Sequence, residues 1–195
     1  MKNKIIWVDL DEVLAETVDF CLKFNDYKIW NKSLKREDII DYYIHQIKWF
    51  DIDLQWAIDW FNIPIANDIE KLEIQPVKWA VTRLLELKND WNEIIIITAR
   101  NEQKLADYTY KWLEKYYKWL IDEVIFTDHF TDRHRHKWEV CRELWINSMI
   151  EDNFDYALDI AKNWIETYLL EKPWNKFKQQ KHKNLKRIQK WNDFR

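Results

Sequence analysis

Five short apolar runs punctuate the chain: Ile5 to Leu10 (IIWVDL), Glu93 to Thr98 (EIIIIT), Glu123 to Phe126 (EVIF), Ser148 to Ile150 (SMI) and Glu166 to Leu170 (ETYLL). They are β-branched and alternate little between apolar and polar positions, the pattern of strands buried on both faces. Between them apolar residues recur every three or four positions, most clearly over Val77 to Lys88, Glu102 to Tyr117, Lys137 to Leu144 and Tyr156 to Asn163, which predicts helices. Strand alternating with helix implies an α/β fold, a Rossmann-like parallel sheet with helices on both faces.

The stretch 15–75 breaks this alternation. Aromatic-rich helical patterns such as TVDFCLKFNDY and LQWAIDWF follow one another there without a convincing strand. A small helical cap inserted after the first strand is therefore expected, with residues 1–14 and 76–195 forming the core domain. From Lys172 onward the chain is basic, but Leu185, Ile188 and Trp191 recur at helical spacing, so a docked amphipathic element is expected rather than a nucleic-acid tail.

A chain of 195 residues suits one main domain with a small insertion. Its net charge of -3, from 31 basic and 34 acidic residues, gives no field that would attract nucleic acid or an anionic membrane, and neither is expected as a partner. The opening MKNKIIWVDLDEV is neither a signal-peptide core nor a membrane span, which leads to the expectation of a soluble cytoplasmic protein. Cys21 and Cys141 each sit within an apolar helical pattern and read as packed thiols of a reducing compartment.

One feature of the composition is abnormal. The chain has 14 tryptophans and no glycine, where ordinary usage of ~7% would give roughly 14 glycines. Trp91, Trp145 and Trp164 each stand between a helical pattern and the next strand, where a left-handed residue usually ends the helix and glycine is favoured. Most such positions are expected to be glycine in the native organism, through a codon read there as glycine and translated here as tryptophan. A chain natively rich in tryptophan is the alternative.

Candidate chemistry begins at Asp9 and Asp11. They end the first apolar run, and strand residues two apart project to the same side, so two carboxylates share one site beyond a strand's carboxyl end. Such a pair can hold magnesium or divide covalent catalysis between a nucleophile and a proton shuttle. The second strand closes with Thr98, followed by Ala99 and Arg100, bringing a hydroxyl and a guanidinium suited to phosphate oxygens to the same edge. The fourth closes with Glu151 and Asp152, and Lys137 opens the helix that leads into it, close enough to offset phosphate charge. The order carboxylates, hydroxyl, lysine, carboxylates is more specific than any one member.

On these residues the chain resembles the haloacid dehalogenase superfamily of phosphatases. WVDLDEVLAET is similar to its first motif, IIIITAR to its second, Lys137 in HKWEVC to its third and MIEDNFD to its acidic fourth. The start, the IEDN element and the late PWN resemble most the 5′(3′)-deoxyribonucleotidase branch and its bacterial nucleotidase-like relatives. The resemblance implies a magnesium-dependent phosphate monoester hydrolase with Asp9 as nucleophile and Asp11 as general acid and base. Magnesium would be held by Asp9, the carbonyl of Asp11 and Asp152, with Glu151 and Asp155 as further candidates. Thr98, Ala99, Arg100 and Lys137 would bind phosphate. The implied substrate is a small phosphorylated metabolite, a nucleoside or deoxynucleoside 5′-monophosphate. A phosphatase of sugar phosphates and a non-catalytic phosphate- or RNA-binding module are the alternatives. Against the family pattern Trp7, Trp79, Trp91, Trp145 and Trp164 stand where relatives carry glycine, whereas Trp112, Trp174 and Trp191 read as true tryptophans.

Other conspicuous residues carry less. His129, His134 and His136 cluster without a cysteine and at no usual zinc spacing, so a loop beside Lys137 is expected there. Phe20, Phe24, Tyr27, Tyr42 and Tyr43 of the cap can stack on a nucleobase, although helical aromatics more often form plain core.

Overall fold

The structure, a computed structural model, describes residues 4–26 and 34–194. Six strands pair in parallel: β1 (Ile5–Val8), β2 (Glu93–Thr98), β3 (Glu123–Phe126), β4 (Ser148–Glu151), β5 (Glu166–Leu170) and β6 (Leu185–Ile188), in the spatial order β3-β2-β1-β4-β5-β6. The chain builds outward from β1 through β2 to β3 and then returns to the other side of β1 with β4. The point where the order reverses lies between β1 and β4, the place where ligands bind in open α/β sheets.

Alternation along the strands dresses both faces. Ile6, Val8, Ile94 and Ile96 pack with residues of α3 (Ala80–Asn89) and α4 (Glu102–Tyr116), while Trp7, Ile95, Ile97 and Met149 pack with α5 (Lys137–Glu143) and α6 (Phe154–Lys162). Burial on both faces is why the inner strands β1, β2, β4 and β5 read as continuous apolar runs. Polar caps start the helices cleanly: the Asn101 side chain accepts from Lys104 N (2.9 Å) at α4, and that of Asn153 accepts from Asp155 N (2.8 Å) at α6.

Between β1 and β2 lie α1 (Thr17–Asp26), α2 (Leu54–Asn67) and short 3-10 turns at Arg36–Asp38 and Ile44–Gln46. They bury Val18, Cys21, Ile39, Ile44 and Trp60 in a small apolar cluster of their own. Ala15 forms isolated bridges to both Asp11 and Pro76, so this insertion leaves and rejoins the sheet at adjacent points. Cys21 and Cys141 are buried free thiols. Among the described residues no helix is long and apolar enough to cross a membrane.

The C-terminal element differs from the sequence expectation. Leu185, Ile188 and Trp191 do dock, but as strand β6 followed by a 3-10 turn at Trp191–Asp193, not as a helix. Three apolar residues at a spacing of three cannot separate a helix from an edge strand leading into a turn, and the open edge of β5 supplies a ladder for Leu185–Ile188. Lys186 and Arg187 stay exposed on this edge strand, which discourages further pairing.

Two groups of tryptophans stand apart. Trp79, Trp91, Trp119, Trp145 and Trp164 hold positive φ between 54° and 71°, and the last four are 76–87% exposed. Those four each follow a helix and precede a strand; Trp79 precedes α3. Trp112, Trp174 and Trp191 are instead buried, and their indole N–H groups donate to Ile74 O (2.8 Å), an Asp152 carboxylate oxygen (2.8 Å) and Val13 O (2.8 Å). Trp7 fits neither group: it is fully buried in β1 with an unpartnered indole nitrogen.

Candidate active site

Asp9 follows β1 directly, its N–H donating to Ile150 O of β4 (2.9 Å), which fixes it across the switch point from the end of β4. There Glu151 and Asp152 are buried beside it, and one carboxylate oxygen from each of the three acids lies within 4.8 Å of the others. Lys137, at the first turn of α5, spans the cluster: its Nζ lies 2.8 Å from Asp9 Oδ1 and 2.7 Å from Glu151 Oε2.

The three acids are not equivalent. Glu151 is saturated, because Oε2 accepts from Lys137 while Oε1 accepts from the N–H groups of Asp152 (3.1 Å) and Asn153 (3.0 Å). Asp152 Oδ2 accepts from the Trp174 indole, and its Oδ1 is buried with no partner. Burial and the neighbouring Glu151 charge push the Asp9 carboxyl up to about 8 despite Lys137. Burial, Glu151 and Asp9 likewise raise Asp152 well above the usual carboxylate range. Burial opposes the Lys137 ammonium, but Asp9 and Glu151 outweigh it and hold the group protonated. Crowding three acids around one ammonium is what raises Asp9 and Asp152. A hard divalent cation would displace their protons and relieve the crowding, with the bare Asp152 Oδ1 and the second oxygen of Asp9 as its natural oxygen donors.

Asp11 is turned to other partners. Arg100 grips both of its oxygens, Nε to Oδ2 at 2.9 Å and Nη2 to Oδ1 at 2.7 Å, and Thr17 Oγ1 also donates to Oδ1. Burial acts to raise this carboxyl, but the charge and hydrogen bonds of Arg100 win and hold it below its usual value. Arg100 is fixed from behind by Thr109 Oγ1 (3.0 Å) and lies over the Tyr108 ring. Thr98 is fully buried at the end of β2, where its hydroxyl accepts from Arg100 N (3.2 Å). Asp155 is exposed on the first turn of α6 and lies outside the acidic cluster.

A cavity of about 140 Å³ opens beside these groups. Asp11, Asp152, Ala99 and Arg100 line it from the strand ends, Tyr42, Tyr43 and Phe61 from the insertion, and His129 and Phe130 from the loop after β3. Of the cap aromatics expected at a base platform, Tyr42 and Tyr43 reach the cavity, Phe20 packs on the main core, and Tyr27 lies outside the described residues. Among the described residues the histidines form no cluster of three metal-ligand atoms; His129 Nδ1 meets His134 Nε2 (3.1 Å) and the Tyr156 hydroxyl (3.1 Å). Burial and the neighbouring His134 lower it to about 4.

No family model matches the sequence. Among curated proteins the chain is similar to a nucleotidase of Clostridium acetobutylicum, 27% identical over 202 residues that cover 99% of this chain and 92% of that one. Among solved structures it matches a haloacid dehalogenase-like hydrolase of Streptococcus pneumoniae with a TM-score of 0.65 at 12% identity, over 98% of this chain and 96% of that one. It also matches CbbY of Rhodobacter sphaeroides, solved in complex with phosphate, with a TM-score of 0.64 at 12% identity, over 97% and 95% of the two chains. The chain has the haloacid dehalogenase-like fold.

Within that haloacid dehalogenase-like fold, several residues at the site have partners that their sequence neighbourhood does not reveal. Glu12 is buried at φ 67°, where it accepts from Val18 N (2.7 Å) and pairs with Arg36 and with Lys172 (3.3 Å). It thereby ties the β1 loop to both the insertion and the C-terminal segment. Thr17 stands in the first motif, yet only the folded loop reveals its bond to Asp11. Trp174 belongs to the late PWN and reads as a true tryptophan, yet only the fold reveals that its indole meets Asp152 across 22 residues of chain.

Proposed function

We propose that the protein is a magnesium-dependent phosphate monoester hydrolase working through an aspartyl-phosphate on Asp9, with a nucleoside or deoxynucleoside 5′-monophosphate as substrate. The observation that carries this reading is the single buried ammonium of Lys137 spanning Asp9 and Glu151, next to an Asp152 oxygen left bare. The Asp9 carboxylate attacks phosphorus in line, the bond to the substrate's bridging oxygen breaks, and water then hydrolyses the acyl phosphate. Lys137 and the Thr98 hydroxyl bind the non-bridging oxygens as charge spreads over them. Asp9, the Asp11 carbonyl and Asp152 would hold magnesium, which would supply the positive charge that lets an anionic nucleophile meet an anionic phosphate.

Asp11 serves as proton shuttle. Gripped by Arg100, it is held as the carboxylate, the form that activates water in the second step. To protonate the leaving oxygen in the first step it must let go of Arg100, which frees that guanidinium for the phosphate. The nucleotide reading is supported by the similarity to a nucleotidase and by the aromatic lining of the cavity, which suits a planar base.

A panel of phosphorylated metabolites assayed for phosphate release with magnesium tests both levels. Nucleoside monophosphates should be turned over fastest, and Asp9→Asn should lower kcat by about 10³ or more. Sugar phosphates turned over far faster would displace the nucleotide reading. Undiminished turnover by Asp9→Asn would overturn the covalent mechanism itself.

A further inference from the structure

Asp152 has two carboxylate oxygens in different situations: Oδ2 is engaged by the Trp174 indole N–H at 2.8 Å, and Oδ1 is buried and bare. A carboxylate held at one oxygen cannot swing about its terminal bond without breaking that hydrogen bond inside the protein, where a lost partner is not replaced by bulk water. The indole is itself held. Trp174 is 4% exposed within the apolar cluster of the insertion, and the Arg36 guanidinium lies 5.7 Å from the centre of its ring. The next residue repeats the pattern on the backbone, with Asn175 Nδ2 donating to Asp152 O (2.7 Å) and to Leu170 O (2.8 Å). Two consecutive side chains beyond β5 thus fix the side chain and main chain of one acid at the end of β4.

We propose that Trp174 is a positioning residue that sets the divalent-cation affinity of the site by locking the Asp152 carboxylate with Oδ1 turned into the acidic cluster. This rests on the reading that Asp152 holds the cation. A hydrogen-bonded outer partner orients a liganding carboxylate, and losing such a partner typically weakens metal binding by about 10–100-fold. Phenylalanine in place of Trp174 keeps an aromatic ring in the cluster but has no N–H. Histidine can offer a ring N–H again.

The test is calorimetric titration of the substrate-free protein with Mg²⁺, so that affinity is read without turnover. Trp174→Phe should weaken the Kd by about 10–100-fold, and Trp174→His should recover part of the loss. Asp152→Asn should abolish measurable binding. If Asp152→Asn still bound Mg²⁺ normally, the cation reading would fail. If Asp152→Asn lost binding while Trp174→Phe kept the full affinity, only the positioning role would fail. Because Trp174 is buried, a second measurement uses the unaltered protein labelled with ¹⁵N in its indoles. The Trp174 N–H resonance should move in step with Mg²⁺ saturation, and a resonance that stays still overturns the proposal even if Trp174→Phe does not fold.

Discussion

Replacing Trp79, Trp91, Trp119, Trp145 and Trp164 one at a time by glycine is expected to stabilise the protein. Each holds positive φ, where the Cβ of an L-residue crowds the following carbonyl at a cost of roughly 1–2 kcal/mol. Glycine returns about 0.5–1 kcal/mol of that through its greater freedom in the unfolded chain, which leaves a gain of about 0.5–1 kcal/mol per site. Four of the indoles are at least 76% exposed, so their removal gives up little buried area; Trp79, at 47%, gives up most and should gain least. The five sites lie on five different connections, and gains at separated sites add, so the fivefold variant should gain about 3–4 kcal/mol. Urea titration followed by far-ultraviolet circular dichroism reads this as a higher midpoint at an unchanged slope. Trp112→Gly and Trp191→Gly supply the contrast, because each empties a fully buried, hydrogen-bonded ring site and should cost about 3–5 kcal/mol or more. If the exposed set lost stability as the buried set does, the argument from left-handed backbone would be refuted. Glycine at the five positions in protein from its native source, read by mass spectrometry, is the matching chemical expectation. Tryptophan there would overturn recoding.

Other expectations concern single groups. Arg100→Met removes the cation that lowers the Asp11 carboxyl and leaves burial to raise it, so the alkaline limb of the pH profile of kcat/KM, set by the acid of the first step, should move to higher pH; an unmoved limb would mean that Arg100 does not control Asp11. His129 titrates near 4 in the folded protein and near 6.5 when unfolded, so the unfolded chain takes up the proton first. Stability from this group is complete above pH 6.5 and falls as pH drops toward 4, by at most about 3 kcal/mol and by less to the extent that water reaches the ring. His129→Gln should flatten that part of the stability curve, and an unchanged slope would contradict the assignment. Glu12→Gly relieves a left-handed backbone but strands Arg36 and Lys172; breaking a buried pair costs about 3–5 kcal/mol, so a net loss on the order of 2 kcal/mol is expected in the same urea titration.

Much of this architecture was legible in the sequence for identifiable reasons. EIIIIT and ETYLL coincide with β2 and β5 because a strand buried on both faces must be apolar throughout, and little else produces such a run, while EVIF coincides with β3 as a half-buried edge strand. Helix starts were less legible: α6 begins at Phe154, two residues before its periodicity does, because the Asn153 cap and not an apolar residue sets the boundary. The sixth strand was hidden because pairing with β5 decides its conformation, and a four-residue edge strand with exposed Lys186 and Arg187 has no apolar run to announce it. The left-handed tryptophans were legible through glycine's absence, since a helix-to-strand connection demands that backbone whatever residue stands there. Trp119, which the family pattern did not mark, obeys the same rule.

The site follows a similar division. Asp9, Lys137, Glu151 and Asp152 converge because each ends a strand or opens a helix at one edge of a parallel sheet, and order along the chain is enough to find them. Their division of labour is not contained in that order. Glu151 and Asp152 are adjacent acids of the same motif, yet one is saturated by Lys137 and two backbone N–H groups while the other keeps a bare oxygen, and the difference depends on Trp174 arriving from beyond β5. Asp9 and Asp11 diverge for the same kind of reason: two residues apart, they meet opposite environments, one beside a second carboxylate and the other in the fork of Arg100. These neighbours alone set the split opposite to the proposed roles, since the nucleophile must be ionised and the acid protonated; a cation held by Asp9 and release of Asp11 from Arg100 would reverse it. The partners that separate them are supplied by tertiary contacts reaching across 89 residues in one case and 22 in the other. Motif order therefore locates such a site, and long-range contacts assign the roles within it.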